Sequence, residues 1–496
     1  MKKDLSSKEK NSYIWLIIGG ILLVFFNGRW VIPIASWIAP VFLIHFYRIN
    51  KNVKGLFLPL LVLVVTIFFS FKGVTGINSW IEYPVLAGLS IVFYLPFLID
   101  RIIEPKIKGF KSTFILPFAG VTIEYALSIV SPYGTWGSLA YTQYGNLPLM
   151  QLASVTGIWG ISFMLYWFYS YANWMWLNEF NINKIKNGTA IFISVFTLMM
   201  LFGGLRTIIL KPIDKTVKVA SISVPHKYLN KDIHAAMKNE NYSKEDKELF
   251  KQKVGILQDE LLNKTKQEAE NGAKIIFWDE VSTPTFKEDE DLLLNKVSSI
   301  ARQNNVNILL SLCTIQQGNA YDENKSVFID GKGKIKYTYL KSKIVIGDND
   351  RVGDGIIKYV DTSYGRVGNA ICFDADFPSY IRQAGKDNID ILLLPSSDWK
   401  EIDPIHTKMA VFRAVENGFS IIRQVQDGYS LSTDYLGNTI SSMDYFNTDN
   451  KVMISYVPIE GVKTIYASIG DIFAWVCTFG FLIMLVVNFK SKNSCK

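Results

Sequence analysis

Cys372 lies in GRVGNAICFDADFPSYIRQAG, at the end of an apolar run and shortly before Pro378, where a helix can start. A thiol at such a strand-to-helix turn can be held exposed, and nearby cations and helix N-termini convert it into a thiolate nucleophile. A cysteine in an apolar strand is more commonly buried and inert, so both readings stand for this residue alone. Cys313, Cys477 and Cys495 stand too far apart for a CxxC pair or a zinc ribbon. His45, His226, His234 and His406 also lack ligand spacing. No metal site, cofactor or disulfide framework is therefore expected.

A nucleophilic thiol needs a base for its proton and a cation for the oxyanion it creates. His406 is the one histidine near these motifs, so a Cys-His pair is not favoured and carboxylate and lysine become the candidates. Glu280 follows the apolar run of KIIFWDEVSTP, where the end of a buried strand commonly faces a cleft. Lys341 follows another such run in YTYLKSKIVIGD. Lys343 comes two residues later, on the same face if the chain stays extended. Singly, Glu280 reads as a solvated loop acid and Lys341 as a surface lysine.

The elements that must position these groups alternate from Lys218 onward. VKVASISV and KIIFW read as strands, with a charged helix from about 243 to 272 between them. NVNILLSLC, KSVFID, IKYTYL, RVGNAICF, IDILLLP and FSIIRQV read as further strands, and 290–304, 378–386 and 404–417 as helices. Apolar strands alternating with helices imply a sheet covered on at least one face. The stretch is long enough for one α/β domain with its own core.

The rest of the 496 residues is of another kind. Residues 1–204 with the tail from 468 hold 18 Lys+Arg against 8 Asp+Glu, whereas 205–467 hold 34 against 36. The basic excess thus belongs to the apolar part, which excludes a nucleic-acid footprint, disorder and a wholly soluble protein. Runs at 12–27, 31–47, 55–71, 83–100, 113–131, 151–178, 189–204 and 468–489 have the length and character of membrane helices. The first lacks a cleavage site and reads as a retained helix. With eight spans, 16 basic residues fall on the side of the termini, against Arg29 and Lys72 opposite. The positive-inside rule then places both termini in the cytoplasm and 205–467 outside it. Glu124, in PFAGVTIEYALSIV, is a carboxylate at membrane depth that faces a cavity or packs within the bundle. The expected organisation is seven spans in 1–204, an extracytoplasmic α/β domain in 205–467, and an eighth span with a basic tail in 468–496.

A strand-end Glu, a strand-end Lys and a strand-end Cys, in that order, resemble the nitrilase (carbon–nitrogen hydrolase) superfamily. YDENKSVFIDGKGKIKYTYLK is similar to the hairpin leading to its lysine, and RAVENGFSIIR to the helix and strand after its cysteine. The resemblance implies an α-β-β-α sandwich with Glu280 as general base, Lys341 as oxyanion-stabilising cation and Cys372 as nucleophile. It puts a second acid near Asp348. The eight spans, Glu124 and LPLMQLASVTGIWGISFML extend the resemblance to the membrane branch, the apolipoprotein N-acyltransferase family. That implies acyl transfer from a phospholipid to the thiol, then to the α-amino group of a lipoprotein's diacylglyceryl cysteine, in a bacterial cytoplasmic membrane. The family's Trp-Pro-Glu stands here as Trp278-Asp279-Glu280, its Cys-Tyr-Glu as Cys372-Phe373-Asp374, and its Gly-Glu as Gly347-Asp348. Trp278, Phe373, Asp374, Asp348 and Glu124 are thus expected to support the site or bind substrate. The alternatives are a membrane-tethered amidase with another acceptor, or an idle lipid-binding module. An intact trio argues against the latter.

Overall fold

The computed structural model describes residues 7–77, 79–212, 215–225, 243–316 and 321–493. Lys2, Lys3, His226, His234, Cys495 and Lys496 lie outside them. The chain divides into two compact units, 1–209 with 469–496, and 210–468.

The first unit is helical. Its main helices are Ser7–Leu23, Pro33–Ile49, Lys54–Phe71, Glu82–Ile103, Ile115–Val130, Ile158–Leu177, Ile182–Ile209 and Ile472–Asn493. Each of the eight apolar runs falls on one of them. Among the described residues, four helices have the length and composition to cross a membrane: Lys54–Phe71, Glu82–Lys106, Gly109–Val130 and Ile182–Ile209. A fifth span results if Leu147–Thr156 and Ile158–Leu177 count as one, bent by 119°. Gly157 makes that break possible with a φ of 64°, which glycine adopts without a Cβ clash. Pro33–Ile49 and Ile472–Val486 are apolar but shorter. Eight crossings are therefore more than length and composition alone yield. The lipid-facing character is plain on Ile182–Ile209, where 22% of the apolar window is buried by protein and Ile191, Leu198 and Ile208 project outward. Inside the unit, Arg48 pairs with Asp100 at 3.0 Å, and Tyr47 and Ser170 complete a buried polar knot.

The second unit contains two sheets back to back. The first runs β13(Val452–Pro458)-β1(Thr216–Ile222)-β2(Ile275–Trp278)-β4(Asn307–Ile315)-β5(Glu323–Ile329)-β6(Ile335–Leu340), with β3(Thr283–Phe286) also on β4. The second runs β12(Thr439–Asp444)-β11(Tyr429–Thr433)-β10(Ser420–Gln426)-β9(Ile391–Ser397)-β8(Gly365–Asn369)-β7(Lys358–Thr362). Successive side chains on a strand point to opposite faces. Hence Val217, Val219, Ile275, Phe277 and Leu309 meet Val367, Ile391, Leu393 and Ile422 between the sheets. Ala220, Ile222, Ile276, Trp278 and Ile308 face outward, under the helices Lys244–Glu270 and Glu290–Asn304. Helices Pro378–Lys386 and Ile405–Asn417 cover Leu392, Leu394 and Ile421 in the same way. The result is the four-layer α-β-β-α sandwich. Phe277 is fully buried between the sheets, and truncation to Ala would cost about 3–5 kcal/mol.

Local sequence sets the ends of these elements. Ser243 opens Lys244–Glu270 with a capping box, its hydroxyl accepting the Asp246 N–H at 3.0 Å. Gly418 closes Ile405–Asn417 at φ 80°, where a Cβ would lie 1.7 Å from the Val462 carbonyl. The strand expected over RVGNAICF stops at Asn369, and Cys372 begins a short 3-10 turn to Asp376. β3, β7, β11, β12 and β13 lie outside the expected strands. Their short runs rely on partners for their ladder bonds, as β13 does in full register on β1.

Candidate active site

Three chain segments converge on one buried place. Lys341 directly follows β6, and its N–H donates to the Asn324 carbonyl at 3.0 Å, which continues the β5–β6 ladder. Its ammonium lies 2.7 Å from Glu280 Oε1. Asn324 Nδ2 donates to the same oxygen at 2.9 Å. Glu280 Oε2 accepts the Ser397 N–H at 2.9 Å, and the Ser397 carbonyl is 3.6 Å from Cys372 Sγ. One residue at the end of β9 thus holds both acid and thiol. Glu280, Lys341 and Cys372 are 4%, 2% and 3% exposed, so the pair operates with little water to screen it.

Cys372 has a φ of 45°, a left-handed conformation for a non-glycine residue that costs about 1–3 kcal/mol. Asp374 ties the turn down. Its Oδ2 accepts the Ile371 N–H at 2.9 Å and the Tyr339 hydroxyl at 2.6 Å. Its Oδ1 accepts the Lys343 and Ser342 N–H groups at 2.7 and 3.1 Å. The carboxylate therefore clamps the cysteine turn to the segment carrying Lys341. Burial pushes the Asp374 carboxyl up to about 6, against those donors.

Burial also pushes the Cys372 thiol up, and the Glu280 charge adds to this while Lys341 and Arg423 oppose it. At rest the group is a thiol. Burial would lower the Lys341 ammonium, yet the Glu280 charge, joined by that of Cys372 once it is a thiolate, outweighs it and holds the group above the usual lysine range. Asp279, fully buried beside Glu280, is raised to about 7 by burial against hydrogen bonds from Ser223 and Ser282.

The other expected residues have different places. Asp348 is exposed and acts on Lys341 through its charge. Asp350 shares Asn324 Nδ2 with Glu280, at 3.2 Å, and burial raises its carboxyl. Phe373 is buried edge-on to Phe377 at 5.4 Å. Lys343 Nζ lies 4.8 Å from the Phe377 ring centre. Trp278 faces the outer core, donating to Thr265 Oγ1 at 2.9 Å. Glu124 belongs to the helical unit, where its Oε2 accepts the Ser138 and Ser162 hydroxyls at 2.7 and 2.8 Å. It borders a cavity with Phe26, Leu63, Phe93, Phe97 and Tyr166.

Sequence reasoning missed Asn324, Asp350, Asp398, Ser397 and Arg423 and set His406 aside. Arg423 alone left a signal, as a charge inside the apolar run FSIIRQV. Cys372, Asp398 and His406 bring one donor atom each within 4.8 Å of one another. The Arg423 guanidinium already fills that place with a fixed positive charge, at 2.8 Å from Asp398 and from His406 Nδ1.

Residues 230–457 match the carbon–nitrogen hydrolase family, and 19–171 match the apolipoprotein N-acyltransferase N-terminal domain. An apolipoprotein N-acyltransferase of Geobacter metallireducens is 23% identical across 99% of this chain and 98% of its own. Apolipoprotein N-acyltransferase 1 of Treponema denticola is 23% identical across 82% and 81%. Among solved structures, an amidase from Nesterenkonia sp. covers 50% of this chain and 94% of its own at 15% identity, with a TM-score of 0.41.

Proposed function

Since the chain belongs to the apolipoprotein N-acyltransferase branch of the carbon–nitrogen hydrolases, we propose that it transfers a fatty acyl group from a phospholipid to a lipoprotein, through a thioester on Cys372. The observation that carries this reading is the buried Glu280–Lys341 pair at 2.7 Å, joined to Cys372 through Ser397.

The steps follow from those positions. Glu280 takes the Cys372 proton, which cancels its own charge and frees the Lys341 ammonium from its ion pair. The thiolate attacks an ester carbonyl of the phospholipid, and Lys341 stabilises the oxyanion of the tetrahedral intermediate. As the C–O bond breaks, Glu280 returns the proton to the leaving lysophospholipid oxygen. The α-amino group of the lipoprotein's diacylglyceryl cysteine then attacks the thioester, Glu280 accepts its proton, and as the C–S bond breaks Glu280 passes that proton to the Cys372 sulfur, which restores the resting thiol and carboxylate. Microscopic reversibility allows one carboxyl to serve both halves. Asp374 keeps nucleophile and cation in register, and Asp350 stands ready as the second acid beside Asn324.

Phospholipid and lipoprotein are the partners of this reading, and the site is the bacterial cytoplasmic membrane. The chain crosses it eight times, with the two shorter apolar helices and Ser7–Leu23 as spans that tilt little. Residues 1–204 supply seven crossings and 468–496 the eighth. The 16-to-2 distribution of basic loop residues supports cytoplasmic termini and an extracytoplasmic 205–467 domain. The relatives' names do not favour the amidase alternative. Mass spectrometry of a lipoprotein N-terminus, from cells with and without this protein, tests the reading. An added acyl mass should depend on the protein and vanish with Cys372→Ala; acylation that persists without it refutes the proposal.

A further inference from the structure

A second buried ionic cluster lies against the thiol, and the Glu280–Lys341–Cys372 chemistry does not account for it. Arg423 on β10, Asp398 just after β9 and His406 on the helix Ile405–Asn417 are 1%, 8% and 3% exposed. Arg423 grips Asp398 with both terminal nitrogens, Nη1 to Oδ2 at 2.9 Å and Nη2 to Oδ1 at 2.8 Å. The same Nη2 is 2.8 Å from His406 Nδ1 and 4.0 Å from Cys372 Sγ. His406 Nε2 is 2.9 Å from Asp376 Oδ1, on the turn that begins at Cys372.

Buried ion pairs are weak devices for stability, because apolar side chains of equal volume usually do as well. Their placement must then be judged by what they touch, and this one touches the reacting atom. Nη2 carries two hydrogens, and one is committed to Asp398. The other can go to His406 Nδ1 only while that nitrogen is unprotonated. His406 Nδ1 also lies 2.8 Å from Asp398 Oδ1. When Nδ1 carries a proton it donates there, and the spare Arg423 hydrogen has Sγ as its remaining acceptor. Asp376 on the far nitrogen favours that charged ring.

We propose that Arg423 is a second cation that stabilises the Cys372 thiolate, with Asp398 and His406 as the residues that position it. The proposal rests on Cys372 being the nucleophile. It answers a need of that chemistry: Lys341 must serve the oxyanion during attack, so a thiolate held by Lys341 alone would compete for it. Lys341 approaches from the end of β6 in the first sheet, and Arg423 comes from β10 in the second. The charges around the thiol are then Glu280, Lys341, Arg423 and Asp398, with the His406 ring within 4.8 Å of it and Asp376 on that ring's far nitrogen; Lys341 and Arg423 oppose Glu280, Asp398 and the burial.

The test is the pH dependence of Cys372 alkylation by iodoacetamide, on the full-length protein in detergent without lipid substrate, followed by mass spectrometry of the Cys372 peptide. Arg423→Met should raise the midpoint by about one to two pH units, the shift an opposite charge at this range produces. Arg423→Lys should recover part of that shift, which mere packing would not predict. If Arg423→Met fails to fold because Asp398 is stranded, the double variant Arg423→Met/Asp398→Asn removes both charges and gives the reading instead. His406→Gln should leave the protein folded and shift the midpoint in the same direction, by less. A midpoint unchanged from wild type in the folded Arg423 variants overturns the proposal. Acyl transfer plays no part in the measurement, so failure of the acyltransferase reading would show separately, as absence of a Cys372 thioester when wild-type protein meets phospholipid.

Discussion

Lys341 and Lys343 are two residues apart, and replacing each by Met separates their roles. Lys341 Nζ is buried 2.7 Å from Glu280 Oε1. At an effective dielectric constant of about 20 that contact corresponds to roughly 6 kcal/mol of Coulomb attraction. Removing an oxyanion-stabilising donor costs about 3–4 kcal/mol of barrier, or roughly 10²–10³ in rate. Lys341→Met does more than this, because it leaves the Glu280 carboxylate in a dry site without its cation. A carboxylate so placed takes up a proton and can no longer accept one from the thiol. Thioester formation from phospholipid should therefore fall by at least about 10³-fold. Lys343 contributes its backbone N–H to Asp374 at 2.7 Å, and substitution leaves that bond in place. Its side chain lies over Phe377, a cation–π contact worth about 0.5–1 kcal/mol. Lys343→Met should keep turnover within about an order of magnitude of wild type. The assay is single-turnover acylation in mixed micelles, scored as hydroxylamine-labile label on Cys372. Breaking a buried pair can itself unfold a protein, at about 3–5 kcal/mol. The control is Lys341→Met/Glu280→Gln, which should melt like wild type and remain inactive. If Lys343→Met is the dead variant and Lys341→Met still acylates, the assigned lysine is the wrong one.

Cys372→Ser should lose the thioester, since an alcohol in the same place is a far weaker nucleophile; labelling at Cys313 instead would move the chemistry. For topology, a membrane-impermeant thiol reagent added to intact cells should label a cysteine placed at Lys287 and spare one placed at Lys106, and the reverse pattern would invert the chain. His406 is raised from 6.5 to about 9, burial being outweighed by Asp376 and Asp398. Because the folded-state value is the higher one, its contribution of about 3 kcal/mol is fully present below pH 6.5 and disappears as pH rises through 9. Unfolding midpoints should fall across that window in wild type and stay flatter in His406→Gln; parallel curves would contradict the assignment.

The Glu280, Lys341 and Cys372 trio was legible because each member ends an apolar run, and such runs announce themselves through hydrophobicity alone. β2, β6 and the segment before Cys372 are of this kind. What completes the site is not: Asn324 and Ser397 act through positions that only strand pairing creates. Asn324 reaches Glu280 because β5 lies beside β4 and β6, a register carried by Lys325 opposite Leu340. Ser397 reaches it across from the other sheet. Trp278 fails differently. Its neighbour Phe277 faces the inner core, so the alternation of the strand sends Trp278 to the helices. That alternation was readable, but the family motif drew the tryptophan toward the site. The helical unit shows the limit of hydropathy: it located eight helices, while spanning length was met by four, or five with the bent pair.

Asp374 explains how the site tolerates its departures from the family motif. A glutamate there would carry its oxygens about 1.5 Å farther from the backbone. In this chain the aspartate oxygens already meet three backbone N–H groups and the Tyr339 hydroxyl at 2.6–3.1 Å. Three of those four donors are main-chain groups, so the clamp follows the path of the backbone more than the identity of neighbouring side chains. Tyr339 in turn shares its hydroxyl with Tyr380 at 2.8 Å. This supplies phenolic hydrogen bonding close to the turn although Phe373 itself has none. The shorter acid thus ties the cysteine turn directly to the segment that carries Lys341.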